Sequence, residues 1–149
     1  MSQPNLPDKD YIVRFVPWGR VRKDADDNVV GISAEAFRRR EDEDGLSVNW
    51  LERAHENPAI QLAATATIFQ NTMKVGAKAR MAVANVGKFK DICAAHNSRV
   101  RIVHVREPDN DPHSEVRQLP RDNAEQLEVL ATEAIVAHYR CQEVAARLS

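Results

Sequence analysis

Cysteine is almost missing from this chain: Cys93 and Cys141 are the only two in 149 residues. Two thiols on what read as helical faces favour buried free cysteines in a reducing compartment over a disulfide framework. Glycine is scarce and scattered, five residues with no two close enough for a phosphate-cradling loop, so a Walker or dinucleotide fingerprint is excluded. Aromatics make up 5% of the chain, too few for an aromatic-lined pocket built on many rings. No run approaches the roughly 18 apolar residues of a membrane span, and the opening MSQPNLPDKD has no apolar signal core. Excess charge is lacking too. The net value is −1, which argues against a broad nucleic-acid surface. No CxxC, HExxH or GxSxG is present, and Asp109–Asp111 lack the glycine and distal glutamate of a calcium loop, so no metal site is assigned.

What is present is the material of one ordinary domain. With 43% hydrophobic and 29% charged residues, the chain can bury a core without metals or disulfides. Residues 1–9, with Pro4 and Pro7, read as a flexible leader, and 10–149 as a single globular α+β domain in the cytoplasm. Tyr11–Trp18 alternates as a strand that Pro17 closes, and Val29–Ile32 returns as a short one. Ser33 caps a short helix through Arg40. Arg38–Asp44, three arginines and then four acids, reads as a solvated, self-neutralising helix end.

Asn57-Pro58 starts a helix to about Met73, with Ile60, Ala64, Ile68 and Met73 turned inward. Arg80–Val86 is a strand ended by Gly87, and a short helix follows with Phe89, Ile92, Cys93 and His96 on one face. Val100–Val105 is the clearest strand, and Ser114–Leu119 is extended. Asp122 and Glu125 form an acidic capping box opening a long C-terminal helix towards Leu148, striped by Leu127, Leu130, Ala134, Cys141 and Ala145. That stripe suits either the monomer core or pairing with a copy of the chain. The order of elements implies a mixed sheet with packing helices.

Two motifs stand out, GLSVNWLE (Gly45–Glu52) and DPHSEV (Asp111–Val116). Ser47 and Asn49 alternate with Leu46 and Val48 and so share one strand face, which can meet a loop carrying His113 to form a cleft. His113 follows a proline, which fixes the backbone before it. An imidazole can act as a base, although organising its own loop is the simpler role. Arg14, Ser47, Asn49, Trp50 and His113 are therefore the candidate binding residues. His96 reads as a half-buried structural histidine. Nucleic-acid binding through Arg14, Arg20, Arg22 and Lys23 is disfavoured by the acidic run that follows.

The order YIVRFVPWG, AFRRREDEDGLSVNWLE, AVANVG and DPHSEVRQLP resembles a family of small uncharacterised bacterial proteins carrying LSVNWLE and a later DPxH segment, over roughly residues 10–120. Ser114 stands where that pattern has alanine. The resemblance implies a bacterial protein and no particular activity. With no complete catalytic constellation and two compact polar motifs, the expectation is an interaction module with a protein partner, in the setting of a defence or toxin–antitoxin operon, with no cofactor. A second likeness is to ADP-ribosyltransferase-type folds. It implies NAD as cofactor and Arg14, Ser47 and Glu115 as the catalytic set.

Overall fold

The computed structural model describes residues 4–146. Its frame is a six-stranded sheet built from β1 (Tyr11–Val16), β4 (Gly45–Trp50), β5 (Arg80–Asn85), β6 (Arg101–His104), β7 (His113–Arg117) and β8 (Ile135–Arg140), in the order β6-β7-β4-β1-β5-β8. A separate ribbon pairs β2 (Val21–Lys23) with β3 (Val29–Ile32). The fold is α+β, and the sheet, expected to be mixed, is antiparallel at every pairing.

Alternation along the strands divides the core in two. Ile12, Val16, Leu46, Val48, Ala82, Ala84, Ile102 and Val116 face the larger cluster, closed by α2 (Val86–Ala95), α3 (Ala124–Val129) and the β2–β3 ribbon. Val13, Phe15, Met81 and Val83 face the smaller one, closed by α1 (Gln61–Thr72) and α4 (Cys141–Ala145). The two clusters lie on opposite faces. The helices on the second face pack over β1, β5 and β8, and the same face of β4 and β7 carries Ser47, Asn49, His113 and Glu115.

Several expectations give way. Among the described residues no long C-terminal helix forms. The chain leaves α3 through a π-helical turn at Leu130–Ala134 and becomes β8. Ile135–Arg140 pairs with β5 because a β-branched, alternating segment gains more from completing the sheet edge than from extending a helix. Leu127, Leu130 and Ala134 are nonetheless buried, as are Cys141 and Ala145 in α4, whereas Leu148 lies outside the described residues. The α3 cap is Asn123, whose side chain accepts from Gln126 N–H, rather than Asp122. Asn57 does accept from Ala59 N–H, but regular helix begins only at Gln61. Its buried face is Ala63, Ala66 and Phe69, leaving Met73 exposed. At α2 the cap is Asn85, accepting from Lys88 N–H, so Gly87 lies inside the helix. Gly87 is needed there because a Cβ would stand 3.1 Å from the Asp8 carbonyl oxygen.

The expected leader is also partly structured. Residues 1–3 lie outside the described set, but Leu6 is 3% exposed and its N–H donates to Ile102 O at 2.9 Å. His104 N–H donates to Pro4 O, and Asn5 bridges Val103, so the segment caps the β6 edge, supplying partners for an otherwise open strand. Both cysteines are buried free thiols, and burial pushes each up to about 11.

Candidate functional site

The β1–β5 ladder runs six register positions, while β1 meets β4 at only two, Ile12↔Trp50 and Val13↔Asn49. Beyond Val13 the two strands part, and Arg14 fills the gap. Its Nε donates to Ala36 O at 2.8 Å and its Nη1 to Ser47 O at 2.8 Å. The guanidinium thus supplies the bond that the absent ladder would have given the β4 carbonyl. Arg14 forms no ion pair among the described residues. Burial, followed by the repulsion of Arg20, lowers its pKa to about 10, so it stays cationic at neutral pH.

A cavity of about 290 Å³ opens beside it, floored by Ser47, Asn49 and His113 and walled by Phe69 of α1, by Met73 just beyond that helix and by Glu107 and Asn110 of the β6–β7 loop. His113 Nδ1 lies 2.7 Å from Val105 O, and a carbonyl can only accept, so Nδ1 carries the hydrogen. In the neutral ring Nε2 is then an acceptor, and Ser47 Oγ stands 3.3 Å from it. Glu107 Oε1 is 3.5 Å from the same nitrogen, placed to receive a proton-bearing imidazolium. The pair is held from below, since Val105 N–H also donates to His113 O at 2.9 Å and closes the loop at its base. His113 therefore organises its loop and also presents Nε2, beside Ser47 Oγ and Glu107, to the groove.

The loop is clamped twice more. Asn49 and Asn110, both buried, exchange amide hydrogen bonds at 2.9 and 3.2 Å. Asp111 binds Arg53 at 2.7 Å and Arg106 at 2.9 Å; the Arg53 hydrogen bond, aided by both positive charges, holds its carboxyl below the usual range. Asp109 sits at φ 62°, the turn position that aspartate tolerates. Among the described residues no cluster of three or more His, Cys, Asp and Glu could hold a metal.

Of the sequence candidates, Arg14, Ser47, Asn49 and His113 converge on this groove. Glu115 stands next to it as the register partner of Ser47, lining the opening below His113 and lying 3.3 Å from Arg117. Gly45 makes room for it, because a Cβ there would sit 3.0 Å from the Glu115 carboxylate. Trp50 does not join. Its ring packs on the larger core, edge-on to His104 at 5.4 Å, and its Nε1 donates to Asp10. Glu52 accepts the Tyr11 N–H at 2.8 Å. Trp50 and Glu52 of the motif are therefore explained as the clasp that seats β1 against β4.

The basic run does not form one face. Arg22 pairs with Glu128 at 2.7 Å, and Lys23 bonds Trp18 O and lies over its ring. Arg20 turns instead towards Arg14. Both line a second cavity of about 380 Å³, together with Arg39 from the segment after the Ala34–Phe37 turn. That segment read as a solvated charge run, and nothing in its local pattern signals a return to β1.

Compared with family models, curated proteins and solved structures, the chain matches none.

Proposed function

We propose that the protein is a binding and interaction module whose recognition surface is the groove along the β1–β4 gap. The observation that carries this is Arg14, a partly buried cation without an ion-pair partner among the described residues, beside a polar floor. A partly buried guanidinium whose carboxylate neighbour, Glu43, makes no ion pair with it costs stability, and a binding surface accounts for its retention alongside its bonds to Ala36 O and Ser47 O. The favoured partner is a protein that offers an anionic group to Arg14 and hydrogen bonds to Ser47 and His113. Membership in the bacterial family sharing LSVNWLE and DPxH, with its operon setting, belongs to the same proposal. The test is capture of partners from host extract by the wild type and by Ser47→Tyr, which fills the cavity. Partners retained equally by a folded Ser47→Tyr would sink the reading.

One observation favours a second reading, an ADP-ribosyltransferase-like enzyme. Arg14, Ser47 and Glu115 stand together: the arginine bonds the Ser47 carbonyl, and Glu115 lies opposite Ser47 across the β4–β7 ladder. This predicts a rise in melting temperature with NAD⁺ and loss of turnover in Glu115→Gln. A flat response at millimolar NAD⁺ counts against it.

A further inference from the structure

Three arginines around the 380 Å³ cavity, Arg14, Arg20 and Arg39, form no ion pair among the described residues, although every other arginine lining it does. Arg38 is held by Glu35 and Asp122, and Arg40 lies 3.9 Å from Glu43, the single carboxylate in the lining. The three come from different parts of the chain: β1, the turn before β2, and the segment before β4. All three are partly buried.

Their donors are only partly spent, and only on backbone. Arg14 uses Nε and Nη1 on Ala36 O and Ser47 O. Arg39 uses Nε on Leu119 O and Nη1 on Glu43 O and Arg40 O. The carbonyls fix the planes of both guanidiniums and leave each Nη2 without a partner among the described residues. The Arg20 fork is unspent altogether. None of these nitrogens is sealed away as an unpartnered buried atom, so they remain accessible. Arg14 and Arg39, oriented by neutral acceptors before any ligand arrives, form the preorganised part of an anion receptor, and Arg20 adds a free fork beside them.

We infer that this cavity seats a phosphate group, gripped by Arg14, Arg20 and Arg39, with the body that carries it lying along Phe15 and Met73 towards Ser47. A carboxylate has two oxygens and is satisfied by one or two forks. A phosphate monoester presents three terminal oxygens and suits a cavity lined by three guanidiniums without ion-pair partners among the described residues. Phe15 and Met73 line both this cavity and the one over Ser47 and His113, which gives the ligand a continuous path. The inference rests on the reading of the groove as the recognition surface and names the chemistry it recognises. The phosphate belongs either to a phosphorylated side chain of a partner or to a small molecule.

The experiment is calorimetric titration of the full chain with inorganic phosphate, N-acetyl-phosphoserine amide and adenosine monophosphate, against chloride at matched ionic strength. Saturable binding of phosphate is expected, weakened at least tenfold in Arg20→Ala and in Arg39→Ala. Tighter binding of phosphoserine than of adenosine monophosphate assigns a phosphorylated partner, and the reverse order a small molecule. Arg20→Ala keeps the test sound if Arg14 variants misfold, since the Arg20 side chain holds no other residue. Heats that do not differ from chloride, or binding unchanged in both variants, overturn the inference. Partner capture lost in Ser47→Tyr alongside such null titrations would leave the groove reading standing and remove only the phosphate.

Discussion

Asn49 on β4 and Asn110 in the β6–β7 loop face each other as a closed pair, each amide donating to the other's carbonyl, at 2.9 and 3.2 Å. Both are buried, so neither can exchange its partner for water. Asn49→Ala strands the Asn110 amide and should cost about 1–3 kcal/mol by urea denaturation. Asn49→Ala with Asn110→Ala should cost less than the sum of the single changes, since neither then leaves an orphan. Additive losses would show that the pair is not the clamp described.

The ordered N-terminal segment makes its own demand. Leu6 is buried in the larger core while its N–H pairs with β6. Leu6→Ala should destabilise the fold by about 2–5 kcal/mol, the range for a buried leucine. A loss below about 0.5 kcal/mol, typical of a surface change, would return this stretch to a loose leader.

Asp111 titrates below its ordinary value of 3.8, chiefly through the Arg53 hydrogen bond. A depressed carboxyl stabilises the fold above the unfolded value and loses that effect as pH falls through the folded one. Its partners are substantially exposed, so the benefit is about 1 kcal/mol or less. Asp111→Asn should therefore be slightly less stable than the wild type near pH 7. The gap should narrow below pH 3.8 and also in high salt. An undiminished gap at low pH would assign the effect to packing.

Both thiols are raised to about 11 by burial, which leaves little thiolate at pH 8. A chromogenic disulfide reagent should label neither Cys93 nor Cys141 in the folded protein within minutes, and both in denaturant. Fast labelling of the native chain would contradict their burial.

The sequence declared most strands, because β1, β4, β5, β6 and β7 each alternate or carry β-branched residues, and the polar face of Ser47 and Asn49 followed from that period. It concealed the end of the chain. Leu127, Leu130 and Ala134 keep helical spacing up to Ile135, and only the vacant edge of β5 decides that the next six residues extend. Trp50 and Glu52 looked functional because they are unusual, yet their partners, Asp10 and Tyr11, lie some forty residues upstream and no local pattern names them. Arg39 escapes notice for the complementary reason, and Arg20 stands out only as one of a basic run weighed for nucleic acid. Arg39 sits in a charge run that looks solvated, and only the folded chain shows that neither arginine has an ion-pair partner among the described residues.

The two-position ladder between β1 and β4 also has a mechanical meaning. It divides the sheet into two three-stranded plates, β6-β7-β4 and β8-β5-β1, stitched at one end by Val13 and Asn49 and braced at the other by the Arg14 side chain. Whatever occupies the seam acts as a rivet between the plates. Loading the groove should therefore be felt as stiffness along β1 and β4 together, in slower exchange of their facing amide protons, rather than as a change confined to a surface loop.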